Sequence, residues 1–297
     1  MSWLLVTIIA YFLFAITALG DKYLLSGAPE PKVYSFYVGV LGGLILLLIP
    51  FVGFFIPGIY EIIFCLFTGV IYLIAIFSVF QGLEDFEASR IIPAIGGFLP
   101  IFTFLFVYIF SNGKEILGIK EIIALALLVI GSILISYDPK KKFPFKSLKI
   151  SAFAALFLSL MFVLSKYVYL MLPFWTGFIW IRIGVLLSAL FFLFSRVVRK
   201  DIFTKKSTFN KKTSIIFVIN QGFGAGGAML QGWGIALAPL ALLPIINALQ
   251  GIQYVFLFIF ILIFFKLFKE KISKEIIIQK LIAIAFIISG LIALGIF

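Results

Sequence analysis

The sequence has no histidine, one cysteine and only 12 acidic residues among 297, and charged side chains of both signs amount to 12%. Soluble domains carry about 25% charged residues, so this chain cannot cover a globular surface that faces water. The lack of histidine removes imidazole as a catalytic base or a metal ligand. A lone thiol, Cys65, excludes a disulfide framework. There is no Walker A pattern, hence no phosphate-cradling loop of the chain's own for ATP. No basic residue precedes the first apolar run, which opens Met1-Ser2-Trp3 and is therefore expected to be a span, not a cleaved leader.

Apolar residues fill the space that these absences leave. They make up 64% of the chain, with 38 Phe and a mean hydropathy of +1.25. Short polar breaks with turn residues, such as Gly27-Ala28-Pro29, Ile56-Pro57-Gly58 and Ser111-Asn112-Gly113, divide the apolar runs. A membrane helix needs about 20 apolar residues. On that measure the sequence predicts ten spans: 2–19, 33–55, 59–80, 91–110, 121–137, 150–172, 174–195, 214–237, 240–265 and 276–296. The expected fold class is an all-α integral membrane protein. Residues 1–138 form a first five-helix unit, 139–149 a basic linker and 150–297 a second five-helix unit.

The net charge of +12 does not point to nucleic acid, because the cations are sorted. Loops after odd-numbered spans hold 20 Lys and Arg, against 3 after even-numbered ones. This is the positive-inside bias; it assigns the odd loops to the cytoplasm, both termini to the outside, and the chain to the cell membrane as a multi-pass protein.

Short similarities link the halves. Gly20-Asp21-Lys22-Tyr23 matches Leu164-Ser165-Lys166-Tyr167, Gln81-Gly82 matches Gln231-Gly232, and Pro93 and Pro100 match Pro244 and Gly251, at offsets of 144, 150 and 151. Matches in order with a drifting offset are what a diverged tandem repeat leaves. An odd number of spans per copy inverts the second copy in the bilayer. In inverted-repeat transporters the substrate site lies near the midplane between the copies.

Few polar residues sit within the runs. Arg182 is the one ionisable group in the middle of a span; it reads either as a contact for a substrate carboxylate or phosphate, or as a structural Arg bonded to carbonyls of a neighbouring helix. Asn220, Gly224, Gly227 and Gln231 share one helical face, and Asn247, Gln250, Gly251 and Tyr254 share another. The amides can read a substrate or join helices. Tyr11, Tyr72 and Trp180 complete the expected substrate-binding set of Arg182, Asn220, Gln231, Asn247, Gln250 and Tyr254. Lys22 and Lys166, at span ends, read as interfacial anchors, with a role in the cavity as the alternative. Gly222, Gly224 and Gly227 match G-x-G-x-x-G, but without a βαβ unit around them they read as helix-packing glycines. All 12 acids fall in loops or at span ends, so no proton acceptor is expected at mid-span, and no cofactor or metal either.

The run from Ala88-Ser89 through Pro93 and Pro100 to Lys114-Glu115 and Gly131, with a second copy from Pro244 to Lys269-Glu270 and Gly290, resembles the ten-helix EamA-type members of the drug/metabolite transporter superfamily over essentially the whole chain. The resemblance implies a secondary carrier, exporting or exchanging small polar or amphipathic metabolites through a cavity lined by spans 1–4 and 6–9. The family's Arg early in the second helix of a repeat matches Arg182, whereas the first half has Tyr37 to Gly39 there. Members of the family are generally drawn with both termini in the cytoplasm, opposite to the charge count. A membrane enzyme acting on a lipid-linked substrate is the other expectation, since Glu84, Asp85 and Glu87 cluster at one mouth.

Overall fold

The computed structural model describes residues 2–24, 31–86, 88–137, 145–203, 211–263 and 274–295, and every regular element among them is helical. In chain order these are α1 (Ser2–Leu24), α2 (Pro31–Gly42), α3 (Ile59–Asp85), α4 (Ala88–Phe110), α5 (Ile119–Ser136), α6 (Phe145–Met171), α7 (Phe174–Leu190), α8 (Arg196–Phe203), α9 (Lys211–Leu237), α10 (Leu243–Ala248), α11 (Gln250–Ile263) and α12 (Lys274–Gly295). Tighter 3-10 stretches extend α2 over Gly43–Phe51 and α7 over Phe191–Phe194, and Leu240–Leu242 leads into α10. Seven of the described helical stretches are long and apolar enough to cross a membrane, and Ala94–Phe110 is a shorter apolar one. The chain is a multi-pass, all-α membrane protein. Most of the expected linker at 139–149, and the side chains of Lys22, Arg90 and Pro93, lie outside the described residues.

Turn chemistry places the helix ends. α4 stops where Asn112 and Gly113 take left-handed conformations, φ 52° and 74°. The Gly113 N–H then reaches back to the Tyr108 carbonyl at 2.8 Å, satisfying a carbonyl that the helix end leaves open. Glycines precede α3 and α5, and Glu61 and Glu121 in the first turns set negative charge at the positive helix ends. The second expected span departs from regular α-helix at Gly42-Gly43 and carries Pro50, which supplies no N–H to the ladder. Within the hydrophilic segment after α7, Val198 is fully buried against Val33 and Phe36, and this anchors the short helix α8.

Helices of the two halves of the chain interleave. α1 lies along α9 and α11, α3 along α6 and α7, α4 along α6 and α10, α2 along α7, and α5 along α12. Apolar pairing alone has no driving force in lipid, so close approach of backbones must hold such contacts. Gly69 on α3 lies against the backbone of Ile181 to Val185, and Gly184 on α7 lies against Leu66. Gly131 on α5 meets Ala283 and Ile287 of α12, while Gly290 on α12 meets Ala124 and Leu128 of α5. Several mid-helix hydroxyls bond to the carbonyl one turn back, as Thr68 does to Phe64 at 2.8 Å and Ser188 to Gly184 at 2.7 Å, which satisfies them in an apolar medium. The perimeter carries exposed Leu, Ile and Phe, including Leu47, Phe51, Ile119 and Phe194.

The two ends of the bundle differ. At one end a groove of about 160 Å³ brings together Trp3 and Leu4, Lys120 and Glu121, Leu242, and Ala293 and Leu294. The first residues, the α4–α5 and α9–α10 connections and the end of α12 therefore share this end. At the other, Lys146 Nζ and Asp85 Oδ2 pair at 3.0 Å. The pairing joins the end of α3 to the start of α6, on the side where the charge count concentrates cations.

Candidate functional site

The interruption of the ninth apolar run organises the polar interior. Between α10 and α11, at Leu249, the helix changes its bonding pattern, with Leu249 N–H on the Ile245 carbonyl and Ile252 N–H on Leu249, each at 2.9 Å. Side chains from other helices then serve the carbonyls around the break. Tyr11 on α1 donates its hydroxyl to Ile246 at 2.9 Å, and the Ser132 hydroxyl on α5, which donates to Leu128 at 2.7 Å, shares its proton with Ala248 at 3.3 Å. A broken helix inside a membrane persists only where neighbouring groups take up the freed backbone in this way.

Four elements meet at this break. Gln231 on α9 donates to the Tyr11 hydroxyl at 3.4 Å, and Asn247 on α10 donates its Nδ2 to Thr103 Oγ1 on α4 at 2.7 Å. Thr103 in turn donates to the Leu99 carbonyl at 2.8 Å. That donation fixes the amide orientation: Thr103 has no second proton to give, so Nδ2 must face it and Oδ1 must face away. Asn247 Oδ1 is buried without a hydrogen-bond partner among the described residues. The Tyr254 hydroxyl on α11 is in the same condition. Across from Tyr254 stands Gly96 of α4, where a β-carbon would lie 3.5 Å from the hydroxyl and 4.0 Å from Gln250 Oε1. Tyr11, Gln231, Asn247, Gln250 and Tyr254 are thus brought together, and Thr103 and Gly96 join them. The sequence names neither Thr103 nor its role; a hydroxyl flanked by Phe102 and Phe104 carries no periodic signal.

Arg182 belongs to a second group, beside the first. Its guanidinium lies between the rings of Tyr72 on α3 and Phe178 one turn back on α7, at 4.9 and 5.0 Å from their centres. Both distances are within the roughly 6 Å range of a cation–π contact. No hydrogen bond from Arg182 to an acceptor is present among the described residues, and the side chain is only partly buried. The carbonyl-bonded structural role is not what the geometry presents. α9 connects the groups: Gln231 turns to Tyr11, while its neighbour Gly232 faces Tyr169 and Phe178.

Trp180 and Asn220 stand apart from both groups. Trp180 is two residues from Arg182 and so on the far side of α7, stacked on Phe54 at 6.1 Å. Asn220 is buried near Gly20 at the α1–α9 contact, about 16 Å along α9 from Gln231 at 1.5 Å per residue. The glycines that follow it are packing surfaces: Gly224 meets Thr17, Gly227 meets Phe14, and Gly234 meets Thr7 of α1. Trp175, Trp233 and Phe174 pack on one another, with ring centres 4.7 to 5.8 Å apart.

Lys166 departs from its expected place. It is 4% exposed, with Nζ donating to the Ala236 carbonyl at 2.9 Å, so it is a buried cation and not an interfacial anchor. Asp85, one of the acids that an enzyme would use, is at the surface in its pair with Lys146. Glu87 lies outside the described residues. Among the described residues no group of three His, Cys, Asp or Glu is placed to hold a metal ion. A groove of about 360 Å³ lies on the perimeter between α5 and α12, lined by Leu134, Glu275, Ile278, Gln279 and Ile282, and includes none of the residues above.

No family model matches the sequence, and no curated protein does. Twenty-eight solved chains match its structure. One of them, described only as "Crystal structure of protein", aligns over 99% of this chain and 96% of its own with a TM-score of 0.71 and 16% identity. At that identity the likeness establishes the architecture alone.

Proposed function

We propose that the chain is a secondary transporter of a small polar or amphipathic metabolite in the cytoplasmic membrane, working by alternating access and similar to the EamA-type drug/metabolite carriers. Ten spans complete it as two inverted five-helix repeats, residues 1–138 and 150–297. α1 to α5 make the first; α6, α7, α9, α10 with α11, and α12 make the second.

Some of the helix neighbours support this symmetry, whereas the α3–α7 contact has no comparable α2–α9 counterpart among the described residues. Exchanging the copies converts the α1–α9 contact into the α3–α6 contact, and α4–α6 into α1–α11; all four are present. The α5–α12 pair maps onto itself, as Gly131 and Gly290 each do onto the other's partner helix. At the 151-residue offset Gly96 corresponds to Asn247 and Thr103 to Tyr254. The Asn247–Thr103 contact and the Gly96–Tyr254 contact are then equivalents, one filled with an amide and the other left open.

The observation that carries the proposal is the pair of unpartnered buried atoms at this junction, Asn247 Oδ1 and the Tyr254 hydroxyl. An unmade hydrogen bond at a buried group costs about 1–3 kcal/mol. A site that keeps two of them between two moving halves is arranged for a group that comes and goes. Purified protein in liposomes is expected to catalyse counterflow of a labelled metabolite drawn from a panel of amino acids, organic acids and sugar phosphates; an absence of flux across the whole panel refutes the carrier.

Since no acid lies at mid-span in the sequence, flux should need no proton gradient. Counterflow is expected to proceed at the same rate with a protonophore present, and a requirement for an imposed gradient would contradict the exchanger or facilitator mode. The charge bias predicts both termini outside. A phosphatase fused after Phe297 should be active and a fluorescent protein there dark; the reverse pair of results would put the termini in the cytoplasm.

A further inference from the structure

The end of α7 and the short helix α8 form a surface outside the polar interior. Phe191 and Phe194 close the α7 span, 72% and 81% exposed, with their ring centres 6.3 Å apart. They make one apolar patch. Two residues on, and so at most about 7 Å from the Phe194 α-carbon, α8 begins with Arg196.

Val198 fixes which way α8 turns. It is fully buried against Val33 and Phe36 of α2, and at about 100° per residue Arg196 lies nearly opposite it. Arg199, three residues on, shares the Arg196 side of the helix, and both arginines are exposed. Among the described residues neither has a carboxylate partner. Nor do they serve the helix itself, because no acid stands in the first turn and cations there oppose the helix dipole. Two guanidinium groups are thus held outward beside two exposed rings, at the level where a membrane span ends.

We propose that this surface binds an anionic phospholipid, its headgroup phosphate on Arg196 and Arg199 and an acyl chain along Phe191 and Phe194. The forked donors of arginine match a phosphate, and the charge favours an anionic headgroup over a zwitterionic one. The aromatic pair beside the cations favours a lipid over a soluble anion, as on a basic amphipathic helix lying in the membrane interface. α8 packs on α2 and on the end of α7, so a lipid held there braces both helices. The inference goes beyond the carrier reading and does not depend on it.

The full chain is purified in a neutral detergent and melted alone, with phosphatidylglycerol, with phosphatidylcholine and with inorganic phosphate. Wild type should gain about 3 °C or more from phosphatidylglycerol, and less than about half of that from either of the others. The gain should disappear in the double variant Arg196→Gln, Arg199→Gln. It should persist in Lys146→Gln, Lys149→Gln, which removes the same charge from the start of α6. Phe194→Ser, which leaves both arginines in place, should lose at least about half of it, and this variant tests the surface even if the arginine pair proves necessary for folding. Equal gains from phosphatidylglycerol and phosphatidylcholine overturn the inference. So does an equal loss in the two double variants, which makes the effect one of overall charge and not of α8. A gain from inorganic phosphate that matches the lipid's assigns the arginines to a soluble anion, and a full gain in Phe194→Ser removes the acyl contact; either result overturns the lipid surface.

Discussion

Gly184→Leu is expected to remove the folded protein from the membrane. At Gly184 an added β-carbon would lie 2.7 Å from the Leu66 carbonyl oxygen and 2.8 Å from its α-carbon, and a side chain cannot push backbone aside as it can push another side chain. Gly69 on the facing helix is closed in the same way by the backbone from Ile181 to Val185, with atoms at 2.5 and 2.6 Å. Either substitution must therefore separate α3 from α7. Overpacking in a dense interior costs about 1–3 kcal/mol, and more where backbone has to move; for the leucine we expect at least about 3 kcal/mol. The measurement is the monodisperse fraction in mild detergent and the apparent melting midpoint, which should fall by roughly 5–10 °C or be lost altogether. Gly222→Leu, on the exposed side of α9 with nothing within 4 Å, is the matched control and should leave both unchanged. If Gly184→Leu behaves like that control, the α3–α7 contact does not have the close backbone approach described.

How much of this was legible in the sequence follows from what periodicity and hydropathy respond to. Apolar length located the membrane helices, and the breaks at Pro57-Gly58 and Asn112-Gly113 became the start of α3 and the end of α4, because proline, glycine and asparagine restrict local backbone whatever surrounds them. The interruption at Leu249 carried no such mark. It depends on Tyr11 and Ser132, 235 and 116 residues from the carbonyls they serve. α8 escaped because a single buried valine among basic residues is too little apolar periodicity to register.

In the site, helical-face arithmetic grouped Asn247 with Gln250 and Tyr254, which the structure divides between α10 and α11 on either side of the break at Leu249. It could not tell that Trp180 would turn to Phe54, or that Lys166 would find Ala236, because both depend on which helix lies opposite. A lysine five residues from a helix end has the same sequence signature whether it snorkels to water or is held by a neighbouring helix.

Gly96→Asn gives the widest separation between stability and function. The β-carbon it adds would lie 3.5 Å from the Tyr254 hydroxyl and 4.0 Å from Gln250 Oε1, ordinary contact distances, so the residue can be housed. Its amide would supply the partner that the hydroxyl lacks, which in a membrane interior contributes about 0.6 kcal/mol, and replacing glycine within α4 adds a few tenths. The variant should melt no lower than wild type. Counterflow, by contrast, should fall by about 100-fold, because a permanent amide now occupies the position of a transient one; groups left unpaired or blocked in a hydrogen-bonding site change discrimination by factors of that order. Tyr254→Phe tests the same atom from the other side. In a protein with no use for this hydroxyl, deleting an unpartnered buried group relieves about 1–3 kcal/mol and alters nothing else. In a carrier that binds its substrate there, the same deletion stabilises the fold and reduces flux. A gain in melting midpoint with full counterflow in both variants would mean that the open contact opposite Gly96 is a packing defect, whereas a gain with lost counterflow means that stability has been given up there for binding.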